Sequence, residues 1–97
     1  PYETSVDELT ANGISFSVSP NPADEDITFY FDEGNSGEIR IYDYIGAEIR
    51  RIIIDAGSIN AVWNGEDING KVCSSGIYNA ILIRGGKTVR IAFVIRK

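Results

Sequence analysis

The feature that most restricts this chain is a two-residue alternation of apolar and polar side chains, interrupted about every 8–12 residues by glycine, proline or asparagine. Ile14, Phe16 and Val18 alternate with Ser15, Ser17 and Ser19, the pattern of a strand with one buried face. Pro20-Asn21-Pro22 ends that strand, because proline cannot donate to a ladder and restricts the residue before it. Ile27, Phe29 and Phe31 form the next inward row, with Thr28 and Tyr30 outward.

The same reading continues to the end. Gly34-Asn35-Ser36-Gly37 is a turn before a strand carrying Ile39 and Ile41, and Ile45-Gly46-Ala47 is a tight reversal in which Gly46 supplies a positive φ. Residues 48–54 return, Asp55-Ala56-Gly57 turns, and 58–63 leads to Trp63. A polar loop over 64–75 precedes two final strands, about 76–84 and 87–96, joined by Gly85-Gly86. No convincing 3.6-residue stripe follows the first ten residues. The expected fold is an all-β, immunoglobulin-like Greek-key antiparallel sandwich of about seven strands. Residues 1–13 are read as a linker entering the domain and 14–97 as the sandwich itself. The spacing of two cysteines around a tryptophan found in antibody domains is absent.

Ninety-seven residues suit one domain with a two-layer core, without room for a deep substrate cleft as well. The chain begins at Pro1 and has no methionine, so it reads as an excised piece or a processed chain, with any export signal expected upstream. No apolar run is long enough to span a bilayer. A net charge of −5 argues against nucleic acid or an anionic membrane as partner. Residues 1–49 carry eleven acids and only Arg40, whereas 50–97 carry eight bases against Asp55, Glu66 and Asp67. That asymmetry fits cross-strand pairing between an acidic early half and a basic late half. It also fits a basic terminal strand offered to a partner.

Without histidine and with a single cysteine, neither Ser-His-Asp nor Cys-His catalysis can be built, nor a Cys/His zinc site. Paired carboxylates need a cleft that isolates one of them. No enzyme activity is therefore expected of the domain, and no catalytic residue or cofactor is assigned. Cys73, beside Val72, reads as a small buried hydrophobe. Gly85-Gly86-Lys87-Thr88 ends like a phosphate loop, but Ile81 stands where that motif needs glycine and a strand follows instead of a helix. The oxygen-rich loop makes Asp67 and Asn69 the weak calcium candidates; no acid follows Gly70 to complete a shell. Side-chain-to-backbone turns with Gly70 at positive φ are the preferred reading. Trp63 reads as a plug at one end of the core rather than a sugar platform. Tyr30 and Tyr42 are the aromatics that a carbohydrate-binding face would use.

The run Trp63-Asn64-Gly65-Glu66-Asp67-Ile68-Asn69-Gly70, then Ser75-Gly76-Ile77-Tyr78, resembles the Ig-like domain first described in the flagellar hook-capping protein. Asn21-Pro22, Ile41-Tyr42-Asp43 with Gly46, and Ala56-Gly57 fit in order, so the resemblance covers about residues 16–97. The chain is also similar to the C-terminal sorting domains of the type IX secretion system, in its early Asn21-Pro22, its Gly76-Ile77-Tyr78 strand and its basic end from Lys87 to Lys97. The structural motif is then Trp63, Gly65, Asp67, Gly70, Gly76 and Tyr78, with Gly76 expected to avoid crowding Trp63.

The resemblance implies a non-catalytic domain at the C-terminus of an exported bacterial protein, serving secretion sorting or surface attachment. Its partners would be an upstream domain and the secretion machinery, its location the cell surface or medium, and Lys87, Arg90, Arg96 and Lys97 its recognition strand. Deleting residues 92–97 is then expected to trap the carrier inside the cell. The alternative is an accessory carbohydrate-binding or spacer module of a secreted enzyme.

Overall fold

Pairing turns each alternating segment into a two-faced strand. The computed structural model describes residues 7–11 and 14–97, and side chains from Ser15 onward. Eight strands form among these residues: β1 Asp7–Ala11, β2 Ile14–Ser19, β3 Ile27–Phe31, β4 Gly37–Tyr42, β5 Glu48–Ile54, β6 Asn60–Trp63, β7 Gly76–Arg84 and β8 Lys87–Ile95. They make two four-stranded sheets, ordered β1-β2-β3-β6 and β5-β4-β7-β8, with every strand pair antiparallel. The chain crosses between sheets after β3, β5 and β6, so the expected immunoglobulin-like sandwich is the fold observed.

The strand beyond the expected seven is β1, drawn from the stretch read as a linker. Asp7 pairs with Val18 and Ala11 with Ile14, leaving the sequence Asn12-Gly13 between them. Residues 1–6 and 12–13 of that stretch lie outside the described residues.

The two inner faces interdigitate as the alternation requires. Phe16, Val18, Ile27, Phe29 and Trp63 come from one sheet, and Ile39, Ile41, Leu82, Phe93 and Ile95 from the other. Phe29 meets Phe16 in a stack at 5.8 Å and Phe93 edge-on at 5.7 Å, joining the layers. Fully burying each such side chain contributes about 1.5–3 kcal/mol, so this row supplies the driving force for closing the sandwich.

Register assigns the loops to two ends. Ser19, Trp63, Tyr42, Gly76 and Ile95 mark the first end, which gathers segments 20–26, 43–47 and 64–75 and the tail. Segments 32–36, 55–59 and 85–86 gather at the opposite end. β1 also starts at the first end. No helix among the described residues is long and apolar enough to cross a membrane.

Candidate functional site

At the first end, Trp63 is 2% exposed and closes the core. Its ring meets Phe93 edge-on at 6.2 Å and Tyr78 at 6.5 Å, and its Nε1–H donates to the Glu66 carbonyl at 2.9 Å. An indole so enclosed cannot stack a sugar; the plug reading holds. The loop is fixed to the sandwich by Ile68 N–H to the Ile49 carbonyl and by Arg50 to the Asp67 carbonyl, both at 3.0 Å.

Asp67 organises the loop through its own backbone. Its Oδ1 accepts the N–H groups of Asn69 and Lys71 at 2.9 and 3.0 Å, its N–H donates to the Lys71 carbonyl, and Gly70 N–H donates to its carbonyl. Asp43 repeats that arrangement. Its Oδ1 accepts from Ile45 and Ala47, its N–H donates to the Ala47 carbonyl, and Gly46 N–H returns to its carbonyl. Gly70 and Gly46 sit at φ 82° and 93°. The two Asp-x-x-Gly turns are thus one device used twice, with Asp43 and Asp67 lining the same surface groove beside Cys73, Gly76 and Tyr78. Asp67 makes the side-chain-to-backbone turn preferred above, and no group of three or more metal-ligating side chains gathers among the described residues.

Gly76 plays a part different from that expected. A Cβ on Gly76 would meet the Tyr78 ring at 3.8 Å, an ordinary contact, with no Trp63 atom among its nearest neighbours. Tyr78 points its hydroxyl past Cys73 and donates to the Ser74 carbonyl at 2.6 Å. Burial raises the pKa of both the Cys73 thiol and the Tyr78 hydroxyl.

The last strand is held from outside as well as by β7. Asn21 Oδ1 accepts Val94 N–H at 2.8 Å, Ala23 N–H donates to the Val94 carbonyl at 2.9 Å, and Arg96 N–H donates to the Ala23 carbonyl at 2.7 Å. Lys97 is fixed through its N–H to Ser75 Oγ and its Nζ to the Asp24 carbonyl. The early Asn-Pro segment therefore acts as a clamp on the C-terminal tail. Arg90, Arg96 and Lys97 are exposed around this fixed backbone. The four basic residues do not form one cluster: Lys87 lies at the opposite end, roughly 33 Å of extended chain from Lys97.

Tyr30 and Tyr42 are also separated. Tyr30 stands on the outer face of the β2-β3-β6 sheet and Tyr42 on that of β4-β7-β8, so they cannot share one sugar-binding face. Tyr42 instead lines an open groove of about 460 Å³ with Tyr44, Asn79 and Arg90. The ion pairs described, Arg40–Glu38 at 2.5 Å and Arg51–Glu48 at 2.9 Å, each join neighbours on one strand rather than acids and bases facing each other across strands.

Sequence reading missed Arg84. It is 7% exposed, lies with its guanidinium 5.0 Å from the Phe31 ring centroid, and donates to the carbonyls of Asp32, Asn35 and Ser58. The signal was parity, since Ala80 and Leu82 point inward and Arg84 continues their row.

The profile of the secretion system C-terminal sorting domain family matches residues 17–96. No curated protein matches the chain. Among solved structures, it is similar to part of PorZ, an essential bacterial surface component of the type-IX secretion system of Porphyromonas gingivalis. The TM-score is 0.69 at 19% identity, over 84% of this chain and 11% of that one. The likeness speaks for the fold, and the chain spans a small part of that protein. Neither match is to a flagellar hook-capping protein.

Proposed function

This chain belongs to the secretion system C-terminal sorting domain family, and we propose that its clamped last strand and basic tail are the address read by a type IX export machine. A domain of this kind marks its carrier for the cell surface or the medium and has no reaction of its own to perform. The observation that carries the reading is the clamp: Asn21 and Ala23 fix Val94 and Arg96, so Arg96 and Lys97 are presented from an ordered backbone. An export component would thus meet a folded surface with defined positive charges, worth most in encounter and orientation. Arg90 extends that surface along β8, and no cofactor takes part. A carrier domain joined before Asp7 would approach the same end, because β1 starts there.

Deletion of 92–97 is a poor test, since it removes Phe93 and Ile95 from the core. The better experiment fuses an exported reporter to residues 1–97 in a bacterium with type IX secretion and compares the parent with Arg96→Glu/Lys97→Glu. Periplasmic retention of the variant, with its thermal midpoint unchanged, supports the reading. Equal surface delivery of both would show that these charges are not the address.

A further inference from the structure

We propose that the free edge of β5, centred on Ile53, pairs with the β5 edge of a second copy of this chain, continuing the sheet across a twofold axis. An uncovered edge strand is a template for another strand, and folded proteins usually shorten, charge or cover it. The edge of β8 is covered at its end by Asn21 and Ala23, and β6 is only four residues long. β5 has seven residues, and among the described residues backbone cover reaches only its start, where Ile68 N–H takes the Ile49 carbonyl.

Backbone parity shows which groups face outward. Val94 directs its N–H and carbonyl away from β7, toward Asn21 and Ala23. Alternation across the β8–β7, β7–β4 and β4–β5 registers then turns Arg50, Ile52 and Ile54 toward β4, leaving Arg51 and Ile53 facing the open edge. The outward Ile49 carbonyl agrees with that parity.

The sequence at this edge is self-complementary. Ile53 is 70% exposed, with Arg51 two residues before it and Asp55 two residues after. An antiparallel pairing about Ile53 sets the two copies of Ile53 opposite each other and each Arg51 opposite the other copy's Asp55. Shifting the centre to Arg51 would oppose two guanidinium groups, and centring on Ile52 would oppose Arg51 to isoleucine. Charge and apolar pairing therefore select one register. Arg51 already holds Glu48, but that pair is solvent-exposed, so sharing the guanidinium with Asp55 of the second copy is cheap. An interface this narrow is expected to be weak, with a dissociation constant in the micromolar to millimolar range.

Sedimentation equilibrium on the 97-residue chain over that concentration range tests it, together with amide exchange. A reversible dimer is expected, with slower exchange at Arg51 and Ile53 as concentration rises. Ile53→Lys should abolish dimer formation while leaving the thermal midpoint unchanged. Arg51→Asp alone should weaken the dimer, and Arg51→Asp/Asp55→Arg should restore it. A monomer at every concentration, or a dimer untouched by Ile53→Lys and by the charge swap, would overturn the proposal. So would protection of the Arg51 and Ile53 amides that arises only when a component of the secretion machinery is added, which would give the edge to a foreign strand.

Discussion

The side-chain oxygen of Asn21 accepts the backbone N–H of Val94 at 2.8 Å, joining residues 73 positions apart at the edge of the last strand. Neither group has much water to fall back on, because Asn21 is buried. Asn21→Ala should therefore cost about 1–3 kcal/mol, the price of an orphaned buried donor. Asn21→Asp keeps an acceptor and should cost less. Urea midpoints measure both, and faster amide exchange at Val94 and Arg96 should accompany the loss. Unchanged exchange at both amides in Asn21→Ala would mean that the clamp does not hold the tail.

Arg84 staples the opposite end by satisfying three carbonyls from two segments, those of Asp32 and Asn35 in 32–36 and that of Ser58 in 55–59. A lysine cannot reproduce that planar fork, nor lie as flat over Phe31. Arg84→Ala should lower stability by roughly 2–3 kcal/mol, and Arg84→Lys should recover only part of it. Equal stability of Lys and Arg at this site would show that charge alone suffices there.

Gly37 marks the closest backbone approach among the described glycines: a Cβ there would stand 2.2 Å from the Ile83 carbonyl oxygen. The obstructing atoms are the β7 backbone of Ile83 and Arg84, which has little room to yield, so Gly37→Ala should cost about 1–3 kcal/mol and disturb the β4–β7 register. Gly46 faces open space but has φ 93°, so Gly46→Ala should cost about 1–2 kcal/mol with the register intact. Thermal midpoints combined with backbone chemical shifts along β7 separate the two mechanisms.

The core could be read from the sequence because period-2 alternation is a direct statement of which side chains face inward. Phe16, Val18, Ile27, Phe29 and Phe31 all lie in the core where that alternation puts them. β1 escaped because its polar composition hides a pairing that backbone groups make, although Asn12-Gly13 between Ala11 and Ile14 has the spacing of a two-residue hairpin. The clamp escaped for a different reason. Asn21 and Val94 meet only through tertiary packing, and an Asn-Pro pair reads locally as nothing more than a strand stop. Arg84 was legible by parity but chemically unexpected, since an inward arginine makes sense only once the carbonyls around it are known.

The paired Asp turns give a controlled comparison. Asp67→Ala removes acceptors from Asn69 and Lys71 in the loop that also carries the partners of Trp63 and Arg50. Asp43→Ala removes the equivalent bonds from a short hairpin. Each should cost about 1–2 kcal/mol. Only Asp67→Ala should change tryptophan fluorescence, because only that turn positions the Glu66 carbonyl against the indole. A matching fluorescence change in Asp43→Ala would mean that the loop's geometry is set from elsewhere.

Alkaline pH should act on the first end of the sandwich. Burial raises the pKa of both the Cys73 thiol and the Tyr78 hydroxyl, so the folded state keeps those protons to higher pH than the unfolded chain does. The stability linked to them is fully present below the ordinary thiol and phenol pKa values and is lost as pH rises through the raised, folded ones. The thermal midpoint should thus fall across the alkaline range. Tyr78→Phe combined with Cys73→Ala should start lower, having lost the bond to Ser74, yet decline less steeply over the same range. Parallel pH profiles for the parent and the double variant would place the alkaline sensitivity on other groups, and Cys73 and Tyr78 would then be packing residues whose protons have no bearing on stability.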